Sequence, residues 1–174
     1  MPGVSVYFSL GSNLGDRERN IREAVSRMDK AFGKRRTALS SLIETEPFGF
    51  SGEKFLNAVV YYRLPVGEFV EPPAFDSTQG PEEILRTVKA IERAMGRTDP
   101  PEYDEEGNRI YHSRIIDIDI LFYGTETVDT PELTIPHKGI AERDFVLIPL
   151  REIARPALKK AFPEYFDTTL KSKD

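Results

Sequence analysis

The sequence predicts one α+β domain, a sandwich built on a mainly antiparallel sheet. Segments with strand-like and helix-like apolar periodicity are interspersed along the chain, and several neighbouring strands are joined by connections too short for a parallel crossover. The length of 174 residues fits a single domain with its own hydrophobic core. We therefore expect one domain over residues 1–174, with a surface insertion at about 66–80 and a mobile loop at about 97–113.

The composition argues against several classes of protein. With 39% hydrophobic and 30% charged residues, the chain has the profile of a globular rather than a disordered protein. It contains no Cys, which excludes disulfides, thiolate metal sites and Cys nucleophiles. The net charge of -5 argues against broad attraction to nucleic acid or to an anionic membrane. No secretion signal opens the sequence and no apolar run approaches the ~20 residues of a membrane span, so we expect a cytoplasmic protein.

The first elements expected are a strand and a helix. In the strand, apolar residues recur at every second position, at Val4, Val6, Phe8 and Leu10. Residues 11–15 break the strand, Asp16 is the expected N-cap of the helix, and Gly33 is its expected stop. The buried stripe of this helix is predicted to comprise Ile21, Ala24, Val25, Met28 and Phe32.

Two further strands are expected before the middle of the chain. Residues 39–45 are predicted to form the first, which a loop at 47–49 closes. In the second, alternate residues from Leu56 to Leu64 share one face, so Phe55 and Asn57 are expected together on the other face.

The middle of the chain is predicted to hold one helix between two irregular segments. Several prolines and acids at 65–80 indicate the surface insertion. Pro81 is expected to begin the helix and Gly96 to end it, with a buried stripe of Ile84, Leu85, Val88, Ile91 and Met95. Residues 97–113 are polar and lack periodicity, which predicts the mobile loop.

The clearest strand pattern lies at 116–122. One face is expected to carry Ile116, Ile118, Ile120 and Phe122, and the other Asp117, Asp119 and Leu121. Gly124 is expected to end the strand and a hairpin to follow through 125–130. A C-terminal helix is expected at about 164–170, after a short apolar run at 145–150.

Asp117 and Asp119 are the strongest indication of a chemical function in the sequence. Asp is disfavoured in strands and two like charges on one face repel each other, so a compensating partner is expected. Adjacent carboxylates suit Mg²⁺, which takes one or two protein carboxylates together with substrate phosphates. Arg97 and Arg114 would then hold phosphoryl oxygens. The alternative for the aspartates is a solvated sheet face, and the alternative for each arginine is an ordinary surface charge.

Three weaker signals allow more than one interpretation. Residues 11–15 lie where backbone N–H groups often bind phosphate, but they match neither G-x-G-x-x-G nor a Walker A motif, so a tight turn supported by Asn13 is the simpler interpretation. Phe55 and Asn57 would stack on and hydrogen-bond a flat heterocycle, or would pack and cap within the fold. His137 would bind a metal, transfer a proton or bond a phosphate; with two His in the chain, a zinc site is not expected.

A series of ordered motifs carries a family resemblance. The motifs are Ser9-Leu10-Gly11-Ser12-Asn13-Leu14-Gly15-Asp16, Glu44-Thr45-Glu46-Pro47-Phe48-Gly49, Phe55-Leu56-Asn57-Ala58, Ile91-Glu92 with Gly96-Arg97, Arg114-Ile115-Ile116-Asp117-Ile118-Asp119-Ile120-Leu121, Ile135-Pro136-His137 and Arg143-Asp144-Phe145-Val146-Leu147-Ile148-Pro149-Leu150. Together they resemble 6-hydroxymethyl-7,8-dihydropterin pyrophosphokinase, a folate-pathway enzyme. The resemblance implies a ferredoxin-like α/β/α sandwich, and transfer of the diphosphate of ATP to the pterin hydroxyl with AMP leaving.

The resemblance also implies roles for individual residues. Asp117 and Asp119 would bind two Mg²⁺ ions and, with Arg97 and Arg114, form the catalytic set. The implied ATP contacts are Glu92, Arg97, Arg114, Ile135, His137 and Arg143. The implied pterin contacts are Thr45, Pro47, Phe48, Phe55, Asn57, Tyr111 and Phe145. The loop at 97–113 is longer than is usual in the family; Arg109 is the candidate for its second arginine and Tyr111 for the aromatic that closes over the pterin.

Two other functions fit parts of the pattern. Paired aspartates on antiparallel α+β domains also serve two-metal nucleotidyl transfer, which would leave Phe55 and Asn57 unexplained. A non-catalytic pterin- or nucleotide-binding protein would not need the intact aspartate pair. The expected partners are small molecules, ATP and the pterin, and neither nucleic acid nor membrane. We expect a monomer, with a homodimer as the alternative.

Overall fold

A central antiparallel sheet lies between two layers of helices. A computed structural model describes residues 3–46, 53–65, 80–96, 102–110 and 115–166. Helices α1 and α2 cover one face of the sheet, and α3 and α4 pack on the other. The predicted α+β, ferredoxin-like α/β/α sandwich is confirmed. Within the described ranges, no helix is both long enough and apolar enough to cross a bilayer.

The elements follow one another in this order: β1 Gly3–Ser12, α1 Arg17–Phe32, β2 Ala38–Leu39, β3 Ile43–Thr45, β4 Phe55–Pro65, α2 Pro81–Ala94, β5 Glu102–Tyr103, β6 Arg109–Ile110, β7 Asp117–Tyr123, β8 Val128–Asp129, β9 Thr134–Ile135, α3 Asp144–Ile153 and α4 Pro156–Ala161. Short 3₁₀ turns occupy Ile140–Glu142 and Pro163–Tyr165.

The main sheet has the strand order β2-β4-β1-β7, and β3 also pairs with β4. All these pairings are antiparallel, as the predicted mainly antiparallel sheet requires. β1 is central. It pairs with β4 from Gly3↔Pro65 to Ser12↔Leu56, and with β7 up to Gly11↔Asp117. The end of β1 at 9–12 therefore lies between the start of β4 and the start of β7.

Helix α1 buries its whole predicted stripe, whereas in α2 the predicted residues Leu85 and Met95 are only partly buried. The carboxylate of Asp16 accepts a hydrogen bond from the backbone N–H of Arg19 at 3.1 Å, which caps α1. Gly33 ends the helix with a φ of 65°, a conformation that favours glycine. Pro81 begins α2 at its first position. Both stripes pack on the same sheet face to form the larger of two apolar clusters.

The second apolar cluster covers only part of the opposite sheet face. The rings of Tyr7 and Tyr61 stack with centroids 4.6 Å apart, and Phe122 meets Tyr7 edge-on at 6.2 Å. Helices α3 and α4 contribute Leu147, Leu150 and Leu158, among others, to this cluster. The same face continues beyond α3 to the strand ends that carry Asn57, Gly11 and Asp117.

One predicted face assignment is wrong. Ile116, Ile118 and Ile120 do share the larger cluster, but Phe122 lies in the other cluster beside Leu121. The register between β1 and β7 shifts at this point, since Tyr7 pairs with Phe122 whereas its neighbour Phe8 pairs with Ile120. The extra residue at the bulge reverses the alternation, and a period-two pattern does not contain that information.

Two further segments differ from the sequence predictions, and a third, the apolar run at 145–150, had no predicted element. The strand expected at 39–45 is split into β2 and β3. At Ser40 the side-chain hydroxyl, in place of a backbone carbonyl, accepts the hydrogen bond from the N–H of Val59 at 2.8 Å, which interrupts the pairing of the two strands. The apolar run at 145–150 lies in helix α3, which contains Pro149. The helix expected at 164–170 begins as the 3₁₀ turn at Pro163–Tyr165, and residues 167–170 lie outside the described residues.

Two hairpins complete the fold. Within the segment predicted as a loop at 97–113, β5 and β6 pair around a turn in which Asp104 Oδ1 accepts from the N–H groups of Glu106 and Asn108. The hairpin expected through 125–130 turns later, at 130–133, between β8 and β9. The predicted insertion at 66–80 lies outside the described residues except for Gly80.

Candidate active site

The candidate site lies on the sheet face of the second cluster, at the strand ends beyond that cluster. Gly11 of β1 pairs with Asn57 of β4 on one side and with Asp117 of β7 on the other. Directly paired residues of an antiparallel sheet project to the same face, so these three form one row. The next row contains Ser9 paired with Asp119. A Cβ atom on Gly11 would lie 3.3 Å from Asn57 Oδ1 and 3.5 Å from Phe55 Cδ1, which places the amide and the ring on this same face.

The amide of Asn57 has a fixed orientation at one end of the row. Its Nδ2 donates to Thr45 Oγ1 at 2.7 Å, and Ile43 O lies 3.5 Å away on the same side. A carbonyl can only accept, so the nitrogen faces β3 and Oδ1 faces Gly11. The hydroxyl of Thr45, having accepted this bond, retains its own proton for donation. This end of the face therefore presents a hydrogen-bond acceptor beside a donor.

Two aromatic side chains lie at the same end of the fold. Phe55 is partly buried at the start of β4, and Phe145 is partly buried in the first turn of α3, which packs against β3 and β4. The guanidinium carbon of Arg143 lies 5.8 Å from the ring centroid of Phe145. A flat heterocycle held by Asn57 would thus have aromatic surface nearby.

Asp117 and Asp119 form the other end of the site. Burial and then the charge of Asp117 raise the pKa of the Asp119 carboxyl, while His137, Lys89 and Arg143 oppose the rise. Two adjacent carboxylates that penalise each other's charge favour a divalent cation between them. Within the described residues no cluster of three or more metal-ligating side chains occurs. A pair of carboxylates nevertheless fits Mg²⁺, because this ion keeps several waters and takes phosphate oxygens as its remaining ligands.

His137 is held as a neutral hydrogen-bond donor. Its Nδ1 accepts from the backbone N–H of Gly139 at 3.1 Å, and its own backbone N–H donates to Leu121 O at 3.1 Å. With Nδ1 accepting, the neutral ring carries its proton on Nε2. Burial is the main cause that lowers the pKa of His137, against the opposing charge of Asp119. The ring can therefore donate to an anion without first binding a proton.

The position of the Arg143 guanidinium depends on the absence of a side chain at Gly139. A Cβ atom on Gly139 would lie 2.8 Å from Nε and 2.9 Å from Cζ of Arg143, closer than such atoms approach in proteins. The guanidinium thus occupies the space that a side chain at 139 would fill. Its charge acts on both Asp119 and His137, so these groups share one electrostatic environment.

Lys89 and the structural role of Glu92 were not recognised from the sequence. Glu92 is 2% exposed; its Oε2 accepts from the backbone N–H of Ile118 at 2.8 Å, and its Oε1 lies 3.1 Å from Lys89 Nζ. Ile118 stands between the two site aspartates, so Glu92 ties α2 to the strand that carries them. A signal was available, because Glu92 follows Val88 by four residues and so falls within an apolar stripe, where a carboxylate needs a buried partner.

The described residues bring together only part of the implied site. Asp117, Asp119, His137 and Arg143 share one environment, while Thr45, Phe55 and Asn57 share another. The side chain of Ile135 is buried in the larger core cluster, so a nucleotide would meet its backbone. The predictions for Pro47, Phe48, Arg97, Tyr111 and Arg114 lie outside the described residues, and of Arg109 only the backbone, in β6, is described.

Comparison with known proteins identifies the family. A family model described as 7,8-dihydro-6-hydroxymethylpterin-pyrophosphokinase matches residues 7–155, which is most of the chain. The chain belongs to this family. A relative from Porphyromonas gingivalis named 2-amino-4-hydroxy-6-hydroxymethyldihydropteridine pyrophosphokinase is 42% identical over 151 residues, covering 86% of this chain and 90% of the relative. The enzyme of the same name from Bacillus subtilis is 33% identical over 156 residues, covering 89% and 81%.

Solved structures support the fold independently. The crystal structure of wild-type Plasmodium falciparum HPPK-DHPS with pteroate superposes with a TM-score of 0.58 and covers 98% of this chain at 16% identity. At that identity the likeness concerns the fold alone. This chain spans 44% of the length of that protein. The family assignment, by contrast, rests on relatives that the chain covers over most of their length.

Proposed function

We propose that this chain transfers the diphosphate group of ATP to the hydroxyl of 6-hydroxymethyl-7,8-dihydropterin, releasing AMP and the pterin diphosphate of folate biosynthesis. Family membership makes the chain a pyrophosphokinase. The observation that carries the substrate proposal is the row Asn57, Gly11 and Asp117 on one sheet face. Its ends lie two strands apart, about 10 Å, which is comparable to a fused bicyclic ring with a one-carbon arm.

The heterocycle end of this row matches the polar edge of a pterin. An amino-pyrimidinone edge carries N–H donors beside ring acceptors. Asn57 Oδ1 accepts and the hydroxyl of Thr45 donates, in a relative position that their 2.7 Å hydrogen bond maintains. Phe55 and Phe145 would contribute stacking surface, and Pro47, Phe48 and Tyr111 stay predicted members of the pocket. A side chain at position 11 would press on Asn57 Oδ1 and on the Phe55 ring, the two groups proposed to hold the heterocycle.

The phosphate end of the row matches MgATP. Asp117 and Asp119 would hold two Mg²⁺ ions, which when bound would neutralise phosphate charge during transfer. His137 would donate from Nε2–H and Arg143 from its guanidinium to phosphate oxygens. Arg97 and Arg114 stay predicted catalytic cations, with Glu92 and Ile135 as predicted nucleotide contacts. Since Glu92 is buried, we propose that it acts chiefly by positioning β7.

The proposed reaction is an in-line displacement at the β-phosphorus. A bond forms between the pterin hydroxyl oxygen and Pβ, the bridge from Pβ to the α-phosphate oxygen breaks, and AMP leaves with that oxygen. The hydroxyl proton passes to solvent, because no side chain is assigned as a base. Asn57 and the Asp117–Asp119 pair contribute by holding the reacting groups in line, so catalysis rests on positioning and charge neutralisation. We propose that the chain acts in the cytoplasm on these small molecules, and its oligomeric state stays a prediction.

The test is a product assay with a matched substrate control. The chain is incubated with Mg²⁺, ATP and 6-hydroxymethyl-7,8-dihydropterin, and nucleotides and pterins are separated by chromatography. AMP and pterin diphosphate in equal amounts are expected, with no AMP when the pterin lacks its hydroxymethyl group. Release of ADP, or AMP formation that ignores the hydroxymethyl group, would contradict the proposal. AMP transferred to an acceptor would favour a nucleotidyl-transfer enzyme, and binding without turnover would favour a non-catalytic protein.

A further inference from the structure

The segment after β1 is a braced turn whose side chains reach the neighbouring strands. Asn20 Nδ2 donates to Leu14 O at 2.8 Å and to Ser12 Oγ at 3.2 Å, and Asp16 caps the first turn of α1. These bonds hold the turn to the helix that follows it. The side chains of Asn13 and Arg17 extend from this turn. Neither residue has a part in the phosphate or heterocycle chemistry proposed above.

Asn13 and Arg17 hold the adjoining ends of β3 and β4. One guanidinium nitrogen of Arg17 donates to Lys54 O at 2.7 Å, and another donates to Glu44 Oε2 at 2.7 Å. Asn13 Nδ2 donates to Glu53 O at 3.1 Å. Glu44 belongs to β3, whereas residues 53 and 54 lead directly into β4. One turn therefore holds both strands at the point where they separate.

We propose that Asn13 and Arg17 form a clamp that positions Asn57 and Thr45, and so sets affinity for the heterocyclic substrate but not for the nucleotide. This inference rests on the proposed function, because it assumes that Asn57 reads the heterocycle. Glu44 pairs with Leu56, next to both Thr45 and Asn57. A displacement of β3 along β4 would break the 2.7 Å bond between Asn57 and Thr45 and free the amide to rotate.

The clamp acts through geometry more than through the strength of its ion pair. The side chains of Arg17 and Glu44 are 30% and 46% exposed, and pairs with such exposure contribute little to overall stability. The hydrogen bond from Arg17 is the main cause that lowers the pKa of the Glu44 carboxyl, so the carboxylate stays ionised near neutral pH. The bidentate donor fork of arginine links a side chain of β3 to a backbone carbonyl before β4, a task that lysine performs poorly.

The test compares Arg17→Met with Arg27→Met. Arg27 belongs to the same helix and pairs with Glu23 at 3.1 Å with 43% and 46% exposure, but it does not tie the helix to either strand through that pair. For Arg17→Met we expect about tenfold weaker binding of 6-hydroxymethylpterin and a matching rise in the KM for the substrate, 6-hydroxymethyl-7,8-dihydropterin. The KM for ATP and kcat at saturating pterin should stay within about twofold, and Arg27→Met should match the wild type. Equal weakening of both substrates, or unchanged pterin affinity, overturns the clamp.

Amide hydrogen exchange tests the clamp without any ligand. Arg17→Met should increase exchange at the paired backbone amides of 43–45 and 55–57 by about tenfold, while exchange in the middle of α1 is unchanged. Arg27→Met should leave both regions unchanged. Unchanged exchange in the strand pair overturns the clamp. If instead the wild type fails to bind the pterin although exchange responds as expected, the proposed function fails together with the effect on affinity, and only the positioning of the two strands by Arg17 stands.

Discussion

Replacing Gly11 with Ala separates substrate binding from folding at the centre of the candidate site. Gly11 is not one of the described glycines with a positive φ, so its backbone conformation is one that alanine also adopts. The new Cβ would lie 3.3 Å from Asn57 Oδ1 and 3.5 Å from Phe55 Cδ1, contacts that are tight but that small side-chain shifts can relieve. Replacing glycine also lowers the entropy of the unfolded chain, worth about 0.4–1 kcal/mol. The free energy of unfolding should therefore change by less than about 1 kcal/mol.

The effect on the heterocycle should be larger. A methyl group raises the floor of the site by about 1.5 Å, the length of one carbon–carbon bond. A ring displaced by that distance loses its hydrogen bonds to Asn57 and Thr45. At about 1 kcal/mol for each bond, the loss is about 2 kcal/mol, or about thirtyfold in dissociation constant. The nucleotide should be unaffected, because the atoms nearest to the new Cβ belong to Asn57 and Phe55 and none belongs to Asp117 or His137.

Calorimetric titration with 6-hydroxymethylpterin and with a non-hydrolysable ATP analogue measures both affinities on one variant, and urea unfolding measures its stability. The binding of the ATP analogue is the internal control. The reasoning is refuted if Gly11→Ala binds the pterin as tightly as the wild type. A loss of stability above about 2 kcal/mol would show that the position is constrained by packing instead.

Three further substitutions test the other parts of the site. Glu92→Ala leaves the buried N–H of Ile118 without this acceptor and should cost about 2–4 kcal/mol in urea unfolding; an unchanged midpoint would contradict the tie between α2 and β7. Gly139→Ala should displace Arg143 and weaken binding of the ATP analogue by about tenfold in calorimetry, with an unchanged urea-unfolding midpoint as the control for folding. Asp119→Asn should abolish AMP formation in the product assay while the melting temperature stays equal or rises, because it removes a like-charge repulsion. Retained turnover would exclude a metal-binding role for this residue.

The local sequence pattern was sufficient to predict features that lie within a single helix or strand. Helix α1 begins after Asp16 and ends at Gly33 as expected, since caps and apolar stripes are properties of neighbouring residues. The aspartates on β7 and the joint placement of Phe55 and Asn57 were also predictable, because alternation within one strand places them. The ordered motifs then supplied the family, which the comparisons confirm.

Contacts between elements decided what the pattern left open. Phe122 changes face because β7 gains a residue relative to β1, and a register shift exists only between two strands. Ser40 interrupts a predicted strand by bonding to Val59 on a different strand. The carboxylate of Glu92 is buried because α2 meets the edge of β7, and its partner Ile118 is 26 residues away.

By itself, the sequence determined the fold class, the helices α1 and α2, and the identity of the candidate chemical groups. Only the tertiary structure decided that Asn57, Gly11 and Asp117 form one row, on the sheet face against which α3 and α4 pack. It also revealed Arg17 as a link between α1 and two strands. The physical reason is the distance along the chain between the residues that interact. Periodicity and capping depend on residues a few positions apart, whereas an active site depends on the register and docking of segments that are distant in the chain.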